Sequence, residues 1–341
     1  SLVDRSLFGR MDNGTGEPRF RMLETIREFA LEHLAAGGEE EATRREHARW
    51  CIALAERCDL RNCSSAEVRL RLDCLEAERD NVRAALAWLL ESGAIEGALR
   101  LGAAYHFLWL HRGPAREGRA WISRALAAPD NPPSSLVVRG LAAQAASILA
   151  WMEGAFDEAA ALATDSLALA REGGADADCV WARNLLGMAA TSLGRYDEAA
   201  AHLDSALELY RHLGAGRSPA IILTNRAVVS EPVAAHGYLD QALALCRRSG
   251  ASASQLAIVL NELGRLACLE ANGVEAGQRF GESLRICWSS FNLWSLPKAL
   301  EGLGCVGVLT QQPEQAVRLV AAAAGLRERT GAPVMVADRT Y

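Results

Sequence analysis

A chain of 341 residues that is half hydrophobic outgrows most single cores, and stacked helices resolve this by burying apolar side chains unit against unit. Its formal net charge of −6 and pI near 5.7 argue against a basic stripe that wraps nucleic acid or lies on an anionic membrane. With no apolar run of about 18 residues or more and no charged-then-apolar leader, the sequence offers neither a membrane span nor a signal peptide.

In chain order, residues 2 to 8 and 19 to 23 are short apolar or alternating runs separated by Asp12-Asn13-Gly14-Thr15-Gly16-Glu17-Pro18, a pattern that predicts a β-hairpin. Thr25 with Glu28 reads as a capping box, followed by the apolar stripe Ile26, Phe29, Ala30 and Leu34 and by the stop Gly37-Gly38. Two longer helices are expected over about 40 to 60 and about 65 to 92, the second carrying Leu72, Leu75, Val82, Ala85, Leu86 and Leu89 on one face. Because Ser1 falls within the first strand-like run, the chain reads as part of something larger.

From about residue 94 the sequence repeats. Gly118, Ala159, Ala199, Ala235, Ala276 and Ala316 are spaced by 41, 40, 36, 41 and 40 residues. Four residues on come Ile122, Ala163, Leu203, Leu239, Phe280 and Val320; seven on, Ala125, Ser166, Ala206, Ala242, Ser283 and Ala323; eight on, Leu126, Leu167, Leu207, Leu243, Leu284 and Ala324. These offsets mark one helical face on which small and large residues alternate, so each helix pair must bury itself against the next. Turns within the pairs are placed at Gly113, Gly154, Gly194, Ser230-Glu231-Pro232, Asn272-Gly273 and Gln312-Pro313. Acidic residues just after them, such as Asp157-Glu158 and Asp197-Glu198, suit the positive ends of helix dipoles. The loop from Cys287 to Pro297 is the exception among polar connections, since it carries Trp288, Phe291 and Trp294. The expected class is all-α, a right-handed α-solenoid preceded by a short hairpin.

Leu186-Gly187, Gly194, Tyr196, Ala199, Leu203 and Ala206 resemble the tetratricopeptide repeat, as do Leu263-Gly264, Ala276, Phe280 and Ser283, and Phe156 with Ala159. The segments at 19 to 34, 75 to 93 and 316 to 333 resemble the C-terminal half of bacterial STAND-type signalling ATPases, including LuxR-family and AfsR-like transcriptional regulators. That resemblance implies a winged-helix remnant over 1–36, linking helices over 37–93 and a tetratricopeptide-like sensor over 94–341. It also implies ATP or ADP bound by a domain upstream, a DNA-binding domain elsewhere, cytoplasmic residence and self-association of the whole protein. Where ADP-holding relatives have a His-Asp pair, this chain has Leu23-Glu24, so no phosphate contact is carried over. Lys298, the one lysine, is followed by Ala299, so no P-loop can be built, and no cofactor is expected here.

The chain also lacks H-E-x-x-H, G-x-S-x-G and G-x-G-x-x-G, so no catalytic residue is assigned. His47 and Cys51 share a face without a further ligand nearby, and nine cysteines without C-x-x-C read as reduced thiols, so no metal is expected. Phasing on Gly187 and Gly264 places Trp181, Asn184, Met188 and Thr191, and Ile258, Asn261, Arg265 and Cys268, on the inner wall. The same phasing adds Arg100, Phe107 and His111, then Gln144, Ile148 and Trp151, then Arg226, Lys298 and Glu301. Asparagine offers a donor and an acceptor together, and arginine and tryptophan offer charge and stacking surface, so this wall is the expected binding face, with Asn261 and Arg265 solvent-facing. The expected occupant is a peptide, small-molecule effector or protein partner, with no nucleic acid or membrane contacted by this region. A stand-alone peptide-binding adaptor or quorum-sensing receptor is the rival reading.

Overall fold

The computed structural model describes residues 8–11, 19–60, 63, 65–213, 218–248, 253–290 and 292–330. The chain divides into two compact units, residues 1–50 and 51–341. In the first, β1 (Phe8–Met11) pairs antiparallel with β2 (Arg19–Met22), Phe8 facing Met22 and Met11 facing Arg19. The first expected strand therefore reaches Met11; residues 1–7 and the turn at 12–18 lie outside the described residues. Helix α1 (Glu24–Gly37) starts two residues earlier than the Thr25 cap predicts: Leu23 occupies the cap position without a side-chain bond, and Glu24 ion-pairs with Arg27 in the first turn. Gly38 ends α1 in the left-handed region, as its sequence requires. Helix α2 (Glu40–Arg57) follows.

The helix expected over 65 to 92 is two helices, α3 (Ser65–Ala77) and α4 (Arg79–Glu91). Between them Glu78 leaves helical geometry (φ −104°, ψ 10°), and its buried carboxylate accepts from the Asn81 side chain at 2.5 Å. A periodicity that runs on through the break conceals it, because Leu72 and Leu75 before it and Val82, Leu86 and Leu89 after it are all buried.

Six pairs follow: α5 (Ile95–Arg112) with α6 (Ala115–Ala127), α7 (Leu136–Met152) with α8 (Phe156–Glu172), and α9 (Asp176–Ser192) with α10 (Tyr196–Leu213). Then come α11 (Ala220–Val228) with α12 (Pro232–Arg248), α13 (Ala253–Leu269) with α14 (Gly273–Ser290), and α15 (Leu296–Leu309) with α16 (Pro313–Thr330). Each helix packs on its partner and on its neighbours in the stack, and α3 packs beside both α5 and α14, so the start of the array meets its later part. No helix among the described residues is long and apolar enough to cross a membrane.

The repeated columns are the core. All six small residues that open the pattern are buried, and so are all six at offset seven. At offset four, Ile122, Ala163, Leu203, Leu239 and Phe280 are buried, whereas Val320 on α16 is half exposed. The large side chains enter gaps left by glycine on the first helices. A Cβ on Gly187 would lie 2.5 Å from Leu203 Cγ, and one on Gly264 would lie 2.8 Å from the Phe280 ring. This close approach brings Ser166 Oγ to Gly140 O (3.0 Å) and Ser283 Oγ to Ala257 O (3.1 Å), two equivalent bonds between the helices of a pair.

Four of the turns within pairs close the same way. The backbone N–H groups of Gly154 and Ala155, Gly194 and Arg195, Ala271 and Asn272, and Gln311 and Gln312 donate back into the last turn of the preceding helix. The first residue of each couple takes positive φ: 79° at Gly154 and 75° at Gly194, but also 56° at Ala271 and 59° at Gln311. A Cβ costs about 1 kcal/mol or more there. Ala271→Gly and Gln311→Gly are therefore each expected to raise stability by about 0.5–1 kcal/mol, and Gly194→Ala, with open space around the added methyl, to lower it by a similar amount. Urea denaturation checks this; an unchanged midpoint for Ala271→Gly would show that the turn is unstrained.

Candidate binding groove

The first helices of the pairs turn one face to a common cavity of about 660 Å³, within the range of small-molecule sites. Of the residues expected on the inner wall, Gln144 and Trp151 of α7, Trp181, Asn184 and Met188 of α9, Asn261 of α13 and Lys298 of α15 line it together. Arg100, Phe107, His111, Ile148, Thr191 and Ile258 line it as well. Arg226, Arg265 and Glu301 do not, and each is held in an ion pair. Arg226 bonds Asp204 at 2.8 Å and lies over the Tyr238 ring; Arg265 bonds Glu262 at 2.7 Å; Glu301 receives Arg327. Cys268 joins a core cluster with Ala276 and Phe280.

The wall is also less solvent-facing than its polarity predicts, because its amides tie successive first helices together. Gln144 Nε2 donates to Asp178 O at 3.0 Å, Asn225 Nδ2 to Asn184 Oδ1 at 2.8 Å, and Asn261 Nδ2 to Ser295 O at 3.2 Å. Trp151 Nε1 adds a bond to Ser192 Oγ at 2.9 Å. Asn184, Asn261 and Arg265 are consequently buried.

Sequence reasoning missed Glu262, Asn225, Ser295 and Arg327. The signals were an i, i+3 Glu262–Arg265 pair beside an expected wall residue and an Asn292 that precedes Trp294-Ser295. Asn292 Oδ1 accepts from the backbone N–H groups of Trp294 (3.2 Å) and Ser295 (3.1 Å), which fixes a turn and sends Trp294 into the groove. There its ring lies 5.6 Å from that of Trp151. Trp288, expected in the same loop, instead lies in the last turn of α14, where it is 74% exposed and does not line the groove.

Two titratable groups are strongly perturbed. Burial, and then the neighbouring His106 and Arg112, push His111 down to about 4, so its imidazole is neutral near pH 7. Burial works against ionisation of Glu262, yet the Lys298 ammonium and the Arg265 guanidinium outweigh it and hold the carboxyl well below its ordinary range. A carboxylate depressed on folding stabilises the native state above its unfolded pKa of 4.5, and that stabilisation drains away as pH falls below it. Glu262→Gln is expected to flatten this acid limb. Glu262→Ala, which strands the buried Arg265 and the partly buried Lys298, is expected to cost about 3 kcal/mol at pH 7. Denaturation curves at pH 7 and pH 3.5 check both; an acid limb in Glu262→Gln as steep as in the native chain would assign the effect to other carboxylates.

Residues 140–226 match the tetratricopeptide repeat family. Proteins named as putative HTH-type transcriptional regulators from Mycobacterium tuberculosis and Mycobacterium bovis are 38% identical over 125 residues, covering 37% of this chain. The chain spans 14% of the length of these curated relatives. Among solved structures, the apo form of RapI superposes with a TM-score of 0.55 at 13% identity, covering 75% of this chain and 92% of that one. A Rap protein complexed with Competence and Sporulation Factor gives 0.55 at 14% identity, covering 89% and 88%. At these identities the likeness is one of fold. The chain thus carries a tetratricopeptide-repeat interaction region whose sequence partly matches HTH-type transcriptional regulators.

Proposed function

We propose that residues 94–341 form the effector sensor of a bacterial transcriptional regulator of the STAND class, with residues 1–36 as the end of its winged-helix domain and 37–93 as the link. The groove is the observation that carries this reading. Its walls combine Trp151, Trp181, Phe107 and aliphatic residues with a few fixed amides, the mixture of apolar surface and sparse polar anchors that small-molecule and peptide sites use. The partial match to HTH-type regulators supports the regulatory setting. A Rap protein of the same fold, solved complexed with Competence and Sporulation Factor, supports an effector as the occupant. In this reading the region is non-catalytic and cytoplasmic, and it touches neither DNA nor membrane. An effector in the groove would bias a nucleotide-holding upstream domain toward its active, self-associated state, by its differential affinity for the two states.

Met188 lines the cavity, and Met188→Trp would fill part of it without removing a charged group. Native mass spectrometry of the freshly purified chain, followed by extraction, is expected to show a retained compound or peptide that Met188→Trp abolishes. The same substitution in the full-length regulator is expected to abolish effector-dependent transcription from its target promoter. A promoter response indifferent to Met188→Trp would rule the groove out as the sensor.

A further inference from the structure

The ligand class of this groove can be read from which of its polar groups are already satisfied, an inference that rests on the groove being the effector site. Each arginine and lysine among the described lining residues holds a carboxylate: Arg100 bonds Glu56 at 2.7 Å, Lys298 bonds Glu262, and Arg327 grips Glu301 through two nitrogens. The Arg100–Glu56 pair is exposed, but at the largely buried Lys298 and Arg327 pairs a charged ligand would have to break a pair or bury a charge with no counter-ion, and either is costly away from water. The uncharged polar groups stand differently. Asn261 is 1% exposed, and its Nδ2 is committed to Ser295 O, yet its Oδ1 has no partner. Nδ1 of His111 in α5, another lining residue, is likewise buried without one. A buried polar atom left unmatched destabilises a protein, and native proteins keep few of them. Two among the lining residues of one cavity, with Trp151, Trp181 and Phe107 as its aromatic lining, point to a missing partner.

We propose that the groove takes an uncharged, ring-bearing ligand whose N–H or O–H group donates to Asn261 Oδ1, with the aromatic residues covering its apolar body. The carbonyl oxygen of Asn261 can only accept, so a ligand lacking a donor leaves the site as unsatisfied as it is when empty. Anionic and cationic analogues are discriminated against by the closed ion pairs.

Four probes of one size test this on the 341-residue chain by saturation-transfer NMR: 2-naphthamide, 2-naphthoate, 2-(aminomethyl)naphthalene and N,N-dimethyl-2-naphthamide. The amide is expected to bind at least tenfold more tightly than the acid and the amine, and the dimethylamide, which has lost its donor, about tenfold more weakly than the amide. Asn261→Leu is expected to erase the difference between amide and dimethylamide. The comparison among probes is made on the native sequence, so it decides the matter even if Asn261→Leu fails to fold. Preference for the acid or the amine, or equal binding of amide and dimethylamide, would overturn the ligand class. If that preference is nonetheless abolished by Met188→Trp, the groove stands as the site and only the class falls. If no probe binds, or none is sensitive to Met188→Trp, the groove falls with it.

Discussion

One aromatic ring seated between two glycines shows what the array depends on. Phe280 of α14 lies against Gly264 of α13 and Gly302 of α15, where an added Cβ would come within 2.8 Å and 2.2 Å of the ring. The ring is fully buried, and it fills the space that both first helices leave by having no side chain there. Helix spacing on either side of α14 is therefore fixed by a shape match that admits no extra methyl group. The serine bonds follow from that spacing: Ser283 Oγ reaches Ala257 O, and Ser166 Oγ reaches Gly140 O, because the helices of each pair run close enough for a side chain three atoms long. Leu203 against Gly187 and Ile122 against Gly102 repeat the arrangement earlier in the chain.

Once the pairs are locked in this way, the first helices stand side by side with their inner faces turned to one groove, and polar bonds cross from α7 to α9, from α11 to α9 and from α13 to α15. Gln144, Asn184 and Asn261 are wall residues and cross-ties at once. Around Glu262 the tie becomes ionic, with α13 and α15 joined through Lys298 while Arg265 closes the same carboxylate from within α13. Such networks lose more on partial disruption than their separate bonds add up to, so the inner face is held rigid by the same groups that give it polarity. Binding and stability are coupled at these residues, and a substitution that weakens binding at Asn184 or Asn261 has to be judged against its effect on the fold.

The architecture was legible because its cause is local and repeated. A face alternating small and large at fixed offsets specifies helix pairs, and the described columns are buried as that pattern requires, apart from the half-buried Leu126 and Leu284 and the more exposed Val320 and Ala324 on α16. Boundaries were less legible where an unbroken periodicity ran across a kink, as at Glu78, or where the helix began two residues before its local cap signal, as at Thr25. At the groove, helical phasing found the rows but not the rotamers. Asn261 and Arg265 lie one turn apart on α13, yet Asn261 lines the cavity and Arg265 does not, its guanidinium being committed to Glu262 of the same helix. Arg226 is lost to Asp204 on α10 in the same manner. Spacing along one helix carries no record of where the opposite charge on a neighbouring helix will fall.

The loop between α14 and α15 is where the groove and the stack part company. Its course is set by Asn292, whose carbonyl gathers the N–H groups of Trp294 and Ser295, and it is anchored to the wall by Asn261 through Ser295 O. Trp294, at the tip of this chain of bonds, meets Trp151 of α7, a helix several pairs away in sequence. The contact narrows the groove with a half-buried side chain on a short turn and involves none of the glycine-held side chains that fix helix spacing. Shifting Trp294 would disturb a turn and one ring contact, whereas shifting a first helix would unseat Phe280 or Leu203. Asn261, whose Oδ1 has no partner, also holds through Ser295 O the turn that carries Trp294, so the polar wall and the aromatic contact across the groove depend on one residue.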